Sequence, residues 1–282
     1  MRLWKYILLT TASSNASGFL IPVSLSRGSS ANQFQRMSEG HARHFKVMFG
    51  NNEGTEDIVR GAQTTFHRVK DVLLNQSSIH KLVFPMAVSG ALLGPNLDNF
   101  HSAFGVLAYT NPIKINFGDS TLLTTDWWVP PLFAVAGAGI GLLYVVLDEV
   151  LGTPASDRAP EWGGVFLTIS AFSLQYYLSG LLTSVNSPPW LLWGILLTIS
   201  WWVYAASDNT RVGLVVSTAT ALLGPAIEVF LVNVPHLYNY NGSDLWGVDS
   251  WIPVVYFCGA PAVGGLARAL HTEIVAEEER GD

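Results

Sequence analysis

The apolar positions of this chain run together rather than alternate. Five stretches, 128–147, 163–183, 189–206, 212–234 and 251–270, approach or reach the roughly 20 apolar residues that a helix needs to cross a bilayer core. Two of them hold a charge, Glu228 and Arg268, and the other three hold none. A weaker sixth stretch, 81–98, is interrupted by Pro85 and Pro95, and is counted as a span because its lysine can snorkel and its asparagines can sit at the interface. Trp127, Trp128, Trp190, Trp193, Trp201, Trp202 and Trp251 fall mainly near the span ends, where aromatic belts form. A membrane β-barrel would show alternating segments about ten residues long, which these runs do not. The pattern predicts an all-α, polytopic bundle of six transmembrane helices.

Close packing between such helices needs small residues, because lipid supplies no hydrophobic drive for association. Gly137, Gly139 and Gly141 in the second span and Gly259, Ala260, Gly264 and Gly265 in the last are placed for that role. The 137–141 run neither follows a strand nor opens a helix, so it is not a dinucleotide loop.

Composition agrees with a membrane chain and narrows the function. Of 282 residues, 13% are charged, about half the share of a soluble domain. A net charge of −6 without a basic tract excludes nucleic acid as a partner. The single Cys258 excludes a disulfide framework, a cysteine zinc cluster and a redox CxxC pair. If the segment before the first span is cytosolic, Arg158, Arg211, Arg268 and most other basic residues fall on that side. Lys114 alone falls opposite, as the positive-inside rule requires.

The N-terminus poses a targeting question. Arg2 and Lys5 precede a short apolar run and then Ala16-Ser17-Gly18, the outline of a signal peptide. Residues 19–38 are rich in serine and arginine and contain no acid, as in a transit peptide. Together they resemble the bipartite plastid leader of diatoms and related algae, in which cleavage exposes a phenylalanine, here Phe19. A disordered polar tail is the alternative. The expected organisation is a targeting-like, disordered basic segment at 1–79, the six-helix domain at 80–272 and an acidic tail at 273–282.

From Trp127 onward the sequence resembles the Insig family of sterol-regulatory endoplasmic-reticulum membrane proteins. Trp127-Trp128-Val129-Pro130-Pro131 opens the second span, and Gly141-Leu142-Leu143-Tyr144 with Asp148 and Leu151-Gly152 closes it. Glu161-Trp162 precedes the third span, and Trp201-Trp202 with Asp208, Arg211 and Gly213 marks the fourth-to-fifth junction. Ser250-Trp251-Ile252-Pro253 opens the last, with Gly259, Gly264, Arg268 and Leu270 behind it. The resemblance implies a non-catalytic regulator in the endoplasmic reticulum that binds an oxysterol. It also implies retention of sterol-sensing partners, Scap-like proteins and HMG-CoA reductase. It implies a partner-binding pair, Asp208 and Arg211, and a sterol-binding set, Phe172, Trp201 and Gly259. The rival is a plastid-membrane carrier or assembly factor built on the same bundle.

Read without the resemblance, these residues have plainer roles. Asp208 could cap the fifth helix, and Phe172 and Trp201 could be core aromatics. Glu228 is the odd residue, since acids inside a span are rare and often functional. It could meet a sterol hydroxyl, pair with Arg268, or sit in the luminal headgroup zone near Asn233. The chain has no GxSxG elbow, Walker loop or HExxH motif. Its histidines, among them His41 and His44, lack metal-site spacing, so no metal, cofactor or catalytic residue is expected.

Overall fold

The computed structural model describes residues 53–151 and 158–281. The leader, His41 and His44 lie outside the described residues. Residues Gln63–Asp282 form one compact unit, and of Met1–Ala62 only the opening turns of the first helix are described. That helix, α1 (Glu53–Asn75), falls within the 1–79 segment that was expected to be basic and disordered. Val69 and Val72, three apart on one face, pack against Ile79, Leu82 and their neighbours, which gives the segment a reason to be helical.

The weak sixth stretch is one continuous helix, α2 (Ser77–Ala103), with Pro85 and Pro95 inside it. It is followed by β1 (Leu107–Tyr109), β2 (Ile113–Phe117) and β3 (Ser120–Thr125). The five strongly apolar runs become α3 (Val129–Val150), α4 (Trp162–Ser184), α5 (Pro189–Ser207), α6 (Arg211–Asn233) and α7 (Ile252–Gly281). These five are long and apolar enough to cross a membrane. Between α6 and α7 lies β4 (Tyr238–Tyr240). Pro130, Pro131 and Pro189 stand in the first turns of α3 and α5, where a missing N–H does no harm.

The strands were not expected. β1 pairs antiparallel with β4, Leu107 opposite Tyr240 and Tyr109 opposite Tyr238. β2 and β3 form a hairpin that turns at Gly118, whose φ of +59° suits glycine. Both sheets have only two strands and lie in the connections at one end of the bundle, so the fold remains a helical one.

Helix α7 is the axis of the bundle. It contacts α2, α3, α4, α5 and α6, and 72% of its most apolar window is buried against 28–39% for the other four. Gly90 of α2 and Gly137 of α3 let two backbones meet: a Cβ on Gly137 would lie 2.9 Å from the Met86 carbonyl oxygen. Polar side chains join α4, α5 and α7. Gln175 donates to the Leu196 carbonyl at 3.0 Å and to Ser200 Oγ at 2.7 Å, and Ser200 donates to the Val254 carbonyl. Large apolar side chains such as Phe166, Trp190, Leu222 and Leu223 are exposed on the outer helices, as a lipid-facing surface requires.

The acidic end is not a free tail. Helix α7 continues through it to Gly281, and Glu278 accepts hydrogen bonds from Lys81 Nζ at 2.7 Å and from the Ser77 hydroxyl. A charged helix face that meets opposite charge on α2 has cause to stay helical.

Candidate functional site

Two of the expected sterol residues come together. Phe172 projects from α4 toward α7, where residue 259 is glycine: a Cβ there would lie 2.7 Å from Phe172 Cζ. Both line an apolar cleft between α2, α3, α4, α6 and α7, walled also by Gly90, Leu93, Phe133 and Tyr256. The cleft is narrow, about 70 Å³, against the roughly 300–1,000 Å³ of a drug-sized ligand site. A sterol would therefore have to part its aromatic walls. Trp201 does not join this group. It lies on the outer face of α5, 64% exposed, its ring 5.6 Å from that of Tyr204.

The second constellation sits at the end of the bundle that carries Arg158 and Arg211. Arg268 of α7 is fully enclosed and holds Asp148 of α3 in a two-pronged pair, Nε to Oδ2 at 2.7 Å and Nη2 to Oδ1 at 3.2 Å. Its Nη1 reaches Asp208 Oδ1 at 3.1 Å, and its guanidinium lies 4.8 Å from the centre of the Tyr144 ring. Arg158 adds a contact to Asp148 Oδ1 at 3.0 Å. Arg268, counted among the cytosolic charges, therefore spends its charge inside the protein.

Asp208 does not cap the fifth helix. It ends α5, and Thr210 is the N-cap of α6, accepting from the Gly213 N–H at 2.9 Å while donating to Asp208 Oδ1 at 2.5 Å. The Tyr204 hydroxyl closes the corner on the Thr210 carbonyl at 2.9 Å. Gly213 is needed because a Cβ there would collide with the Asp208 carboxylate. The Asp208 side chain is wholly enclosed, whereas Arg211, the first residue of α6, is exposed. The two expected partner residues thus share a corner and differ in what they can touch.

Glu228 is held by two tyrosines that the sequence reading did not name. It is buried, and it accepts from the Tyr240 hydroxyl at Oε2 and the Tyr256 hydroxyl at Oε1, both at 2.6 Å. It pairs with neither Arg268 nor Asn233, whose amide instead donates to the carbonyls of Val229 and Trp246. Nearby, Tyr109 of β1 donates to Asp98 of α2 at 3.0 Å. The β1–β4 ribbon is therefore fastened to two helices by tyrosine–carboxyl contacts. Burial first, and then the neighbouring acids, push the phenols of Tyr109 and Tyr240 well above their ordinary value. In the same connection burial, then the charges of Asp244 and Glu228, push Asp249 up to about 6. The sequence signal for this cluster was the density of tyrosine around 238–240 and 256 beside an intramembrane acid.

The comparisons agree with this architecture. The family model described as Insulin-induced protein (INSIG) matches residues 83–271, well over half of the chain. Insulin-induced gene 1 protein of Xenopus tropicalis is 33% identical over 152 residues, covering 54% of this chain and 59% of that protein. The human protein of the same name is 33% identical over 152 residues, covering 54% and 53%, and the Danio rerio one is 34% identical over 151 residues, covering 53% and 58%. The chain thus spans a little over half the length of these relatives. The crystal structure of MvINS, an Insig homologue from Mycobacterium vanbaalenii, shares the fold. Its TM-score is 0.55 at 18% identity, over 67% of this chain and 94% of that one. A cross-linked MvINS trimer gives 0.54 at 20% identity, over 70% and 95%. This multi-pass membrane protein belongs to the Insulin-induced protein (INSIG) family.

Proposed function

We propose that the chain is a non-catalytic regulator of sterol metabolism in the endoplasmic-reticulum membrane. It binds an oxysterol-like lipid among its helices and retains sterol-sensing polytopic partners, Scap-like or HMG-CoA reductase-like. The observation that carries this reading is the meeting of Phe172 and Gly259 in an apolar cleft shared by five helices. A rigid apolar ligand wedged there would favour one arrangement of those helices, and it can shift the population only by its differential affinity for the two arrangements. At the α5–α6 corner, Arg211 offers the exposed contact to the partner and Asp208 holds the corner's shape.

The test uses the full-length protein in detergent micelles with a tritiated side-chain-hydroxylated cholesterol. Saturable binding that Phe172→Ala weakens by roughly tenfold or more supports the reading. An equal affinity in the variant removes Phe172 from the site, and no saturable binding overturns the sterol role. In cells, a C-terminally tagged chain should reside in the endoplasmic reticulum and co-purify sterol-sensing proteins. Residence in a plastid membrane would overturn the retention role.

A further inference from the structure

Tyr256 belongs to two neighbourhoods. Its ring forms part of the wall of the apolar cleft, and its hydroxyl donates to Glu228 Oε1 at 2.6 Å. The ring can lie against α6 because Gly224, one turn before Glu228 on the same face, has no side chain: a Cβ there would collide with Tyr256 Cδ1. Gly224 and Glu228 together make a slot for a flat group with a hydrogen-bond acceptor at its end. The second carboxyl oxygen is held by Tyr240 of β4, which is anchored in turn by its pairing with β1.

A carboxyl group enclosed among membrane helices is disfavoured unless its oxygens find donors. Here one of its donors stands on the wall of the cleft. We propose that Glu228 is the polar-head acceptor of that cleft. An amphipathic lipid enters with its apolar body between α2, α3, α4 and α7, turns Tyr256 aside, and donates a terminal hydroxyl to Glu228 Oε1 in place of the phenol. The proposal rests on the cleft being the lipid site.

Exchanging one O–H donor for another leaves the carboxyl satisfied, and the cost of opening the wall falls on the Tyr256 phenol, which gives up its acceptor. Moving the Tyr256 ring also widens a cleft that is too narrow for a sterol as it stands. The arrangement selects for a donor, because a ketone or ether oxygen would set lone pairs against the carboxyl oxygen and leave it unpartnered.

Competition binding on the full-length protein in micelles tests this. The tritiated oxysterol is displaced by unlabelled oxysterol and by two analogues, in which either the ring hydroxyl or the side-chain hydroxyl is a methyl ether. One analogue should bind the wild type roughly tenfold to a hundredfold more weakly than the parent. Glu228→Leu should bind parent and analogue equally, and Glu228→Gln, which keeps an acceptor oxygen, should retain part of the preference. Tyr256→Phe, with no competing phenol, should bind the parent severalfold more tightly. Full discrimination in Glu228→Leu, or none in the wild type, overturns the assignment. Should Glu228→Leu fail to fold, unchanged affinity in Tyr256→Phe overturns it. If Phe172→Ala weakens binding while these variants change nothing, the cleft stands and only Glu228 falls. If the wild type binds no oxysterol, both fall.

Discussion

Arg268 Nε lies 2.7 Å from Asp148 Oδ2 with both side chains fully enclosed, and this pair joins the central helix α7 to α3. Taking two charges out of water is costly, and the attraction repays the cost only when the geometry is good and the remaining donors are used. Here the guanidinium forks onto one carboxylate, reaches a second, Asp208, and covers the ring of Tyr144. The pair is therefore more than a staple. It fixes the ends of α3, α5 and α7 relative to one another at the face where Arg211 is exposed.

Removing one member should expose the cost of the others. Arg268→Leu leaves Asp208 enclosed without its cation and Asp148 with Arg158 in place of the forked pair, and a loss of about 3–5 kcal/mol is expected. Adding Asp148→Leu should recover part of that loss, because an enclosed carboxylate that has lost its forked partner goes with it. Thermal unfolding of the purified variants in micelles measures both. A double variant less stable than Arg268→Leu alone would sink the account.

The sequence made the helices legible and left their partners hidden. The run 212–234 became Arg211–Asn233, and 128–147 became Val129–Val150, because apolar length is a local property that a bilayer demands of each span. The hairpin Ile113–Phe117 with Ser120–Thr125 had a local signal too, β-branched residues around Gly118-Asp119, but the search for long apolar runs passed over it. The β1–β4 ribbon had none, since Leu107 finds Tyr240 only after four helices have brought them together. The same limit applied at the sites. Asp148, Asp208 and Arg268 were each visible as residues, yet no spacing says that one arginine serves two aspartates on different helices. For Glu228, three partners were considered, and the tyrosines that hold it were not among them.

The contact of Phe172 with residue 259 should be tight enough to test by size. Gly259→Ala places a methyl 2.7 Å from Phe172 Cζ, closer than carbon atoms approach without something shifting. A loss of about 1–3 kcal/mol is expected from the overpacking. Phe172→Leu, combined with it, should restore part of the stability by freeing the space. Melting temperatures of the two single variants and the double variant decide, and strictly additive shifts would argue that the two residues do not meet.

Asp249 sets a pH dependence. Burial, then the Asp244 and Glu228 carboxylates, raise its folded-state value to about 6 from the ordinary 3.8, so the folded protein disfavours its charged form. That penalty is fully present above about pH 6 and fades as the pH falls from there toward the unfolded value. Asp249→Asn should accordingly be more stable than the wild type near neutral pH, by about 2–3 kcal/mol at most. The gap should narrow at about pH 5. Melting temperatures at the two pH values measure it, and a constant gap would assign the effect to something other than ionisation.

Thr210 separates the two roles at the α5–α6 corner. Its hydroxyl caps α6 through the Gly213 N–H and donates to Asp208, so Thr210→Ala removes both contacts while leaving Asp208 and Arg211 in the chain. A loss of about 1 kcal/mol is expected from the cap. If Asp208 serves partner capture by holding the corner, Thr210→Ala should also reduce the amount of sterol-sensing protein that co-purifies, and Thr210→Ser, which keeps the hydroxyl, should restore it. Arg211→Ala should reduce co-purification without a change in melting temperature, because its side chain lies on the exposed face. Full capture by Thr210→Ala at equal expression would mean that the corner's geometry is not what the partner reads.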